Sequence, residues 1–276
     1  MATTDKSPEE IARLLYQYDN IATRLDSPVT IGPDEINLYH EQGYLAVTRV
    51  LSEDETNRSI QALMSILFQD ANGAKIQFTK PENEILTAEE RELSVRKIYE
   101  FVHGNRTLYE IAHHPELLAC VEKLLGEEAV LIQDMALLKP PHGGGEKPWH
   151  QDMAYGPLAY DKAVAGVWIA LDEAALDNGC MHVIPRSHMN GGTPHYAKRD
   201  WQVCDDNVQV ERDVAVPLPP GGVLFFHGLL IHGTPPNFSI KRRRALQFHY
   251  AAASSVKMSP KEYKRMFTNE LTGATC

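Results

Sequence analysis

From about residue 129 the chain becomes a succession of short runs: "AVLIQDMALLK", "AVAGVWIAL", "MHVIP", "DVAVPL", "GGVLFF", "LLIHGT" and "RRRALQFHYAAAS". Each is apolar or alternating, and each is bounded by Pro, Gly, Asn or Asp. Runs of this length and make-up pack as strands, and turn signals such as "DNG" at 177–179 and "PPGG" at 219–222 fold one strand back toward the next. The stretch before it reads mostly as helices. Helices first and strands afterwards suit a β-sandwich or jelly roll with helices laid against one sheet, not alternating βαβ units.

The front half carries explicit helix starts. Ser7, Pro8 and Glu10 form a capping box with proline at the first helical position, and Ile11, Leu14, Leu15, Tyr18, Ile21 and Leu25 follow at helical spacing. The apolar stripe of this helix docks on the chain's own sheet or on a second subunit. After Gly32-Pro33 a short helix runs to Gly43, "GYLAVTRVL" reads as a strand, and Ser52 with Glu55 opens another helix. Residues 71–92 are polar and read as a long loop of the kind that covers a site. Helices are expected at about 106–113 and 115–125, the second closed by Gly126.

Bulk properties narrow the function. The 276 residues allow one large domain, and 43% hydrophobic with 23% charged residues is ordinary for a soluble globular protein. A net charge of -10 opposes general affinity for nucleic acid or anionic membrane, and the "KRRR" run at 241–244 is too short to reverse it. Cys120, Cys180, Cys204 and Cys276 are far apart, form no CxxC pair and suggest neither a zinc knot nor a disulfide framework, which fits a reducing cytoplasm. No run approaches the roughly 18 apolar residues of a membrane span. The first residues do not read as a signal peptide and the last are not a peroxisomal address.

The chemistry-bearing residues lie in two stretches. In "PWHQDMAYGP", His150 and Asp152 would share one face of an extended segment, with Gln151 on the other. In "FFHGLLIHGTPPNFSIKRRRALQFHY", His227 and His232 compete to be a third ligand, and on an unbroken strand they would lie on opposite faces. Eleven residues after His232 comes Arg243. An His-x-Asp pair with a distant histidine is the sequence form of a two-histidine, one-carboxylate facial triad for Fe(II). An arginine on a following strand then has a use. A 2-oxoglutarate chelating iron through its keto-acid end leaves a carboxylate free for a guanidinium fork, a bond worth about 1.5–3 kcal/mol. Thr234, two residues after His232, could add a hydroxyl.

Taken together, "YHEQGYLAVTRVLSEDE", "VRKIYEF", "LLKPP", "HQD", "VWIALDEAALDNGCMHVIPRSH", "PPGGVLFFHGLLIHGT" and "RRRALQFHYA" resemble the phytanoyl-CoA dioxygenase family of Fe(II)- and 2-oxoglutarate-dependent oxygenases. The likeness runs in order from about residue 35 to 253. It implies a mainly β fold with flanking α-helices, a double-stranded β-helix (jelly roll, cupin-like). One domain over 1–276 is expected, with a helical extension at 1–30, mostly helical support at 31–128, the jelly-roll core at 129–253 and a helix and tail at 254–276.

Position by position, the resemblance makes His150, Asp152 and His232 the iron ligands and the catalytic centre, and Arg243 the clamp on the 2-oxoglutarate carboxylate, assisted by Thr234. Lys97 and Met135 match positions lining the co-substrate pocket, and Trp168, Gln151 and Asn237 match further pocket positions. Where the family commonly has Pro-Gly-Ser-His, this chain has "PRSH", which puts Arg186 at a position that often needs a left-handed glycine, with a substrate acid group as one destination for its side chain. Related halogenases replace the carboxylate of the His-x-Asp pair; Asp152 is present, which favours hydroxylation.

The implied activity is hydroxylation of an unactivated C–H bond of a small-molecule substrate, with O2 consumed, succinate and CO2 released, and ascorbate as an activator. The protein is expected to be a cytoplasmic monomer or homodimer with neither nucleic acid nor membrane as a partner. The rival is a non-catalytic or 2-oxoglutarate-independent metal-binding cupin-like protein, and Arg243 disfavours it. His182, His188, His195, His227 and His249 are read as structural by default, and Lys97 as a helical residue.

Overall fold

The computed structural model describes residues 6–28, 31–142, 145–270 and 273–276. The helices are α1 (Pro8–Leu15), α2 (Pro33–Gln42), α3 (Glu53–Phe68), α4 (Ala88–Ser94), α5 (Arg106–Ala112), α6 (Pro115–Leu125) and α7 (Pro260–Phe267). The strands before the second histidine of the candidate site are β1 (Arg24–Leu25), β2 (Tyr44–Val47), β3 (Lys75–Phe78), β4 (Val95–Tyr99), β5 (Ala129–Lys139), β6 (Lys147–His150), β7 (Val164–Ala170), β8 (Met181–Val183), β9 (His195–Ala197), β10 (Trp201–Val203), β11 (Val214–Val216) and β12 (Val223–His227). Then come β13 (His232–Thr234) and β14 (Arg243–Ala252).

Eight strands form one sheet in the order β1-β2-β12-β7-β14-β5-β4-β3, four form a second in the order β11-β8-β13-β6, and β9 and β10 pair as a separate hairpin. The central strands of the large sheet are covered on both faces, so β7 reads "VAGVWIA" and every residue in it is buried. Alternation along each strand sorts the side chains between two cores. Val167, Ile169, Val223, Phe225, Leu246, Phe248 and Tyr250 face the helical layer, where they meet Leu63, Ile66, Leu108 and Val121. Trp168, Ala170, Leu224, Phe226 and Ala245 face the small sheet, meeting Met181, Val183 and Val216. Burying a side chain of this size contributes roughly 1.5–3 kcal/mol. The two sheets with their helical backing form the expected jelly roll.

Local corrections to the sequence reading have physical causes. The first helix stops at Leu15, because Tyr16 turns extended and buries its ring against Trp149 at a centroid separation of 5.0 Å. Trp149 Nε1 donates to the Leu15 carbonyl at 2.9 Å, which fastens the helix end to β6. Residues 71–92 are not one long loop: they hold β3, a short turn of 3₁₀-helix at Glu82–Glu84 and the start of α4. β3 pairs antiparallel with β4, so Lys97 is a strand residue, opposite Gln77 on one side and Leu137 on the other. Cys204 and Cys276 form a disulfide with Cα atoms 5.5 Å apart, against the expectation from their spacing, while Cys120 and Cys180 are free and buried. Spacing along the chain could not reveal a pair brought together by the fold.

One glycine shapes the interior. A Cβ on Gly166 in β7 would lie 2.3–2.6 Å from atoms of the Phe226 ring, so only glycine lets that ring lie over the strand. Phe226 then packs on His232, ring centroids 4.7 Å apart.

Candidate active site

His150 ends β6 and His232 begins β13, and the two are register partners, which brings their rings to a centroid distance of 4.2 Å. Gln151 keeps extended backbone (φ -113°, ψ 132°), so alternation returns Asp152 to the His150 side before the chain enters a 3₁₀ turn. Asp152 Oδ1 lies 3.2 Å from His150 Nε2 and 3.6 Å from His232 Nε2. One ligand atom from each of these three buried residues lies within 4.8 Å of the others. His150 Nδ1 sits 2.8 Å from the Pro148 carbonyl and His232 Nδ1 2.9 Å from the Leu230 carbonyl. Each carbonyl needs a donor, so Nδ1 carries the proton and both Nε2 lone pairs face the common point.

The electrostatics suit a cation. Burial pushes His150 down to about 3, with His232 adding to the effect, and burial also lowers His232, so both imidazoles are neutral donors. Burial works against the Asp152 charge, but the neighbouring His232 and His249 and the hydrogen bond from His249 outweigh it and keep the carboxyl well below its usual range. Its outer oxygen is held from behind: Gln247 Nε2 donates to Oδ2 at 3.1 Å and His249 Nε2 lies 2.7 Å from the same atom. Two neutral imidazoles and an anchored carboxylate on one side, open space on the other, fit a divalent ion of the Fe(II) type with positions left for ligands.

That open space is a cavity of about 760 Å³ whose wall includes His150, Asp152, His232, Thr234, Trp168 and Arg243. Arg243 is 1% exposed, and its guanidinium stands 5.4 Å from the centre of the Trp168 ring. Burial lowers its pKa only to about 10, so it stays charged at neutral pH. Arg243 Nε, Thr234 Oγ1 and Trp168 Nε1 are all buried with no hydrogen-bond partner among the described residues. A buried donor left unpaired costs about 1–3 kcal/mol, and three such groups on one cavity wall make a cradle for an anion. Lys139, register partner of Arg243, is different: its Nζ donates to the carbonyls of Gly145, Thr234 and Pro235 at 2.6, 3.3 and 2.5 Å. It ties the end of β13 to β5.

The profile of the Phytanoyl-CoA dioxygenase (PhyH) family matches residues 39–245. The chain belongs to the phytanoyl-CoA dioxygenase family. A phytanoyl-CoA dioxygenase of Arabidopsis thaliana is 27% identical over 259 residues, covering 83% of this chain and 91% of the relative. The structure of EvdO2 from Micromonospora carbonacea var. aurantiaca complexed with 2-oxoglutarate is 25% identical with a TM-score of 0.66, covering 85% of this chain and 97% of that one. EctD from S. alaskensis, solved with 2-oxoglutarate and 5-hydroxyectoine, shares the fold at 23% identity and a TM-score of 0.64, covering 87% of this chain and 82% of that one. This phytanoyl-CoA dioxygenase family member is a 2-oxoglutarate-dependent oxygenase. Among the described residues no helix is long and apolar enough to cross a membrane.

Of the residues singled out in the sequence of this family member, Lys97, Met135, Trp168, Thr234 and Arg243 line the cavity with the triad. Gln151 and Asn237 do not. Gln151 bonds the Gly191 and Leu229 carbonyls and the Thr193 amide, and Asn237 bonds the carbonyls of Lys139, Pro140 and Lys241 and the Ser239 amide. Both are buried loop-tying amides with no polar group left for a co-substrate. Arg186 does adopt the left-handed conformation, φ +67°, but its side chain pairs with Glu41 at 2.5 Å on the surface, not with a group in the site. His227 faces away from the triad and accepts from the Leu229 amide, leaving His232 as the third member. Gln247 and His249 were missed as partners of Asp152. Their signal was parity: on β14 they fall two and three alternations after Arg243, on the same inward face.

Proposed function

We propose that this chain binds Fe(II) through His150, Asp152 and His232, binds 2-oxoglutarate through Arg243, Thr234 and Trp168, and hydroxylates an unactivated C–H bond of a small organic molecule, consuming O2 and releasing succinate and CO2. When bound, the iron and co-substrate supply the oxidising chemistry. The protein's part is geometric. His150 and His232 offer Nε2, Gln247 and His249 hold Asp152 so that Oδ1 faces the ion, and Arg243 receives the far carboxylate of the co-substrate while Thr234 Oγ1 and Trp168 Nε1 offer further donors. Lys97 and Met135 complete that pocket, the sheets exclude water from its closed end, and the whole chain is one catalytic unit. Ascorbate would serve as an activator.

One observation carries this reading: the unpartnered Arg243, Thr234 and Trp168 donors beside a ready-made two-imidazole, one-carboxylate cluster. A metal-binding protein without a carboxylate co-substrate has no use for a buried guanidinium that faces the cavity with no carboxylate partner among the described residues. Anaerobic titration of metal-free protein with Fe(II) and then 2-oxoglutarate should produce the weak visible charge-transfer band of the chelate. Arg243→Ala should shift the 2-oxoglutarate midpoint by about 10- to 150-fold, as expected for a lost bond of about 1.5–3 kcal/mol to a charged group. An unchanged midpoint would overturn the clamp assignment. Asp152→Ala should abolish 2-oxoglutarate turnover.

A further inference from the structure

Resting on that reading, we infer that the substrate is a neutral, largely apolar molecule that presents a hydroxyl or similar hydrogen-bond donor to Gln133 on β5. The unfilled groups of the cavity point to it. Four residues of its wall, Arg243, Thr234, Trp168 and Gln133, carry a buried side-chain polar atom with no hydrogen-bond partner among the described residues. The first three offer donors, which a carboxylate co-substrate fills. Gln133 Oε1 can only accept, and an anion brings nothing but acceptors. Its partner has to be a group with a hydrogen to share.

Position supports the same division. Gln133, Met135, Leu137 and Lys139 share one face of β5, and their register partners on β14 are His249, Gln247, Ala245 and Arg243. Gln133 therefore stands roughly 20 Å along the strand from the Arg243 end, beyond the reach of a short diacid held there. It lies instead beside His249, whose Nδ1 is also buried with no partner among the described residues. The terminal torsion of a glutamine is broad. Rotation about it turns Oε1 to an arriving hydroxyl and sends Nε2 toward the His249 lone pair, filling both acceptors and linking the substrate, through His249, to the back of Asp152.

The outer wall holds no charge in surplus for an ionic substrate. Arg96 and Lys147 reach Asp200 at 2.7 and 2.8 Å, and Arg199 reaches Glu146 at 2.8 Å and Asp205 at 2.5 Å, so three cations meet three carboxylates. Lys97 belongs to the co-substrate pocket, and Lys139 is taken up by three carbonyls. Phe78, Leu137, Pro157 and Leu158 in the same wall offer apolar surface to the body of the molecule.

The test uses the full chain loaded anaerobically with Fe(II) and 2-oxoglutarate. Straight-chain, alicyclic and aromatic alcohols are added, each beside the methyl ether, the carboxylic acid and the amine on the same frame, and perturbation of the chelate band and the thermal midpoint are read. The best alcohol should bind about two- to tenfold more tightly than its ether, the scale of one neutral hydrogen bond, and more tightly than its acid and amine. In Gln133→Met, which keeps the volume and loses the acceptor, alcohol and ether should bind alike. Gln133→Glu, which keeps an acceptor, should restore the preference. An acid or amine that binds as well as the alcohol overturns the neutral assignment. Alcohol and ether binding alike in the wild type would mean that water alone fills Gln133, and a preference that survives in Gln133→Met would place the donor elsewhere; either result overturns the role of Gln133. If wild-type protein forms no chelate band, the iron and 2-oxoglutarate reading itself has failed; a normal band that no alcohol perturbs sinks only the substrate assignment.

Discussion

His249 Nε2 lies 2.7 Å from Asp152 Oδ2, on the oxygen that does not face His150 and His232. The other ring nitrogen, Nδ1, is buried without a partner among the described residues, so Nε2 holds the imidazole's proton and donates a hydrogen bond to the carboxylate. Orienting partners behind a ligand typically change metal affinity by about 10- to 100-fold. His249→Phe should therefore weaken divalent metal binding by that order, measured by competition with a chromophoric chelator. Gln247→Leu, which removes the longer bond, should cost less. Unchanged affinity in His249→Phe would reduce the residue to filler.

Thr234 separates function from stability. Its hydroxyl is buried and unpaired, so Thr234→Val removes a desolvated donor without breaking any bond within the protein. The thermal midpoint of the metal-free protein should stay level or rise. The 2-oxoglutarate requirement should increase by about two- to tenfold, the value of one neutral hydrogen bond of about 0.5–1.5 kcal/mol. A fall in stability with no change in co-substrate affinity would show that the hydroxyl serves the fold.

Two neutral histidines outside the triad set a pH dependence. His195 Nε2 accepts from the Gln151 amide and His227 Nδ1 from the Leu229 amide, so each must be unprotonated at that atom. Burial lowers His195 to about 4 and His227 to about 3. Unfolded histidine titrates near 6.5, so between those limits the unfolded chain binds more protons. The stabilisation is complete above about pH 6.5 and is lost as pH falls toward 4 and 3, on the order of 3–5 kcal/mol per residue in full. Urea unfolding at pH 7 and pH 5 should show the loss. His227→Gln, whose side-chain oxygen can still accept the amide, should shrink it by up to about 2 kcal/mol.

The Cys204–Cys276 bond closes a loop of 72 residues behind the β9–β10 hairpin. A cross-link of that span contributes about 2–4 kcal/mol. Cys276→Ser should lower stability by that order, and peptide mapping without reductant should recover the pair joined. Cys120 and Cys180 should resist alkylation until the protein unfolds, because burial pushes their thiols up to about 11 and about 12.

Much of this arrangement was legible in the residues. Alternation in "HQD" held through Gln151, and the capping boxes at Ser7 and Ser52 open helices as read. Jelly-roll order followed from the change of pattern near residue 129. Other features depend on pairings that no local window contains. Lys97 reads as a helical charge until β3 and β5 flank its strand, and the polar run at 71–92 becomes ordered because β4 supplies hydrogen-bond partners. Gln151 and Asn237 match the family pattern, but loop carbonyls and amides claim their side chains. The helical stripe from Ile11 to Leu25 breaks at Tyr16 because a stacking partner 133 residues away outweighs the next turn of helix.

That break bears on where the enzyme begins. The family match opens at residue 39, yet the Leu15 carbonyl fixes the indole of Trp149 and the Tyr16 ring lies over it, immediately before His150 in the chain. A version trimmed to the matched region would keep every candidate ligand while stripping the wall that stops β6 from shifting. The smallest working unit therefore reaches further toward the N-terminus than kinship alone would draw it, and the opening segment acts as a buttress for chemistry to which it contributes no atom.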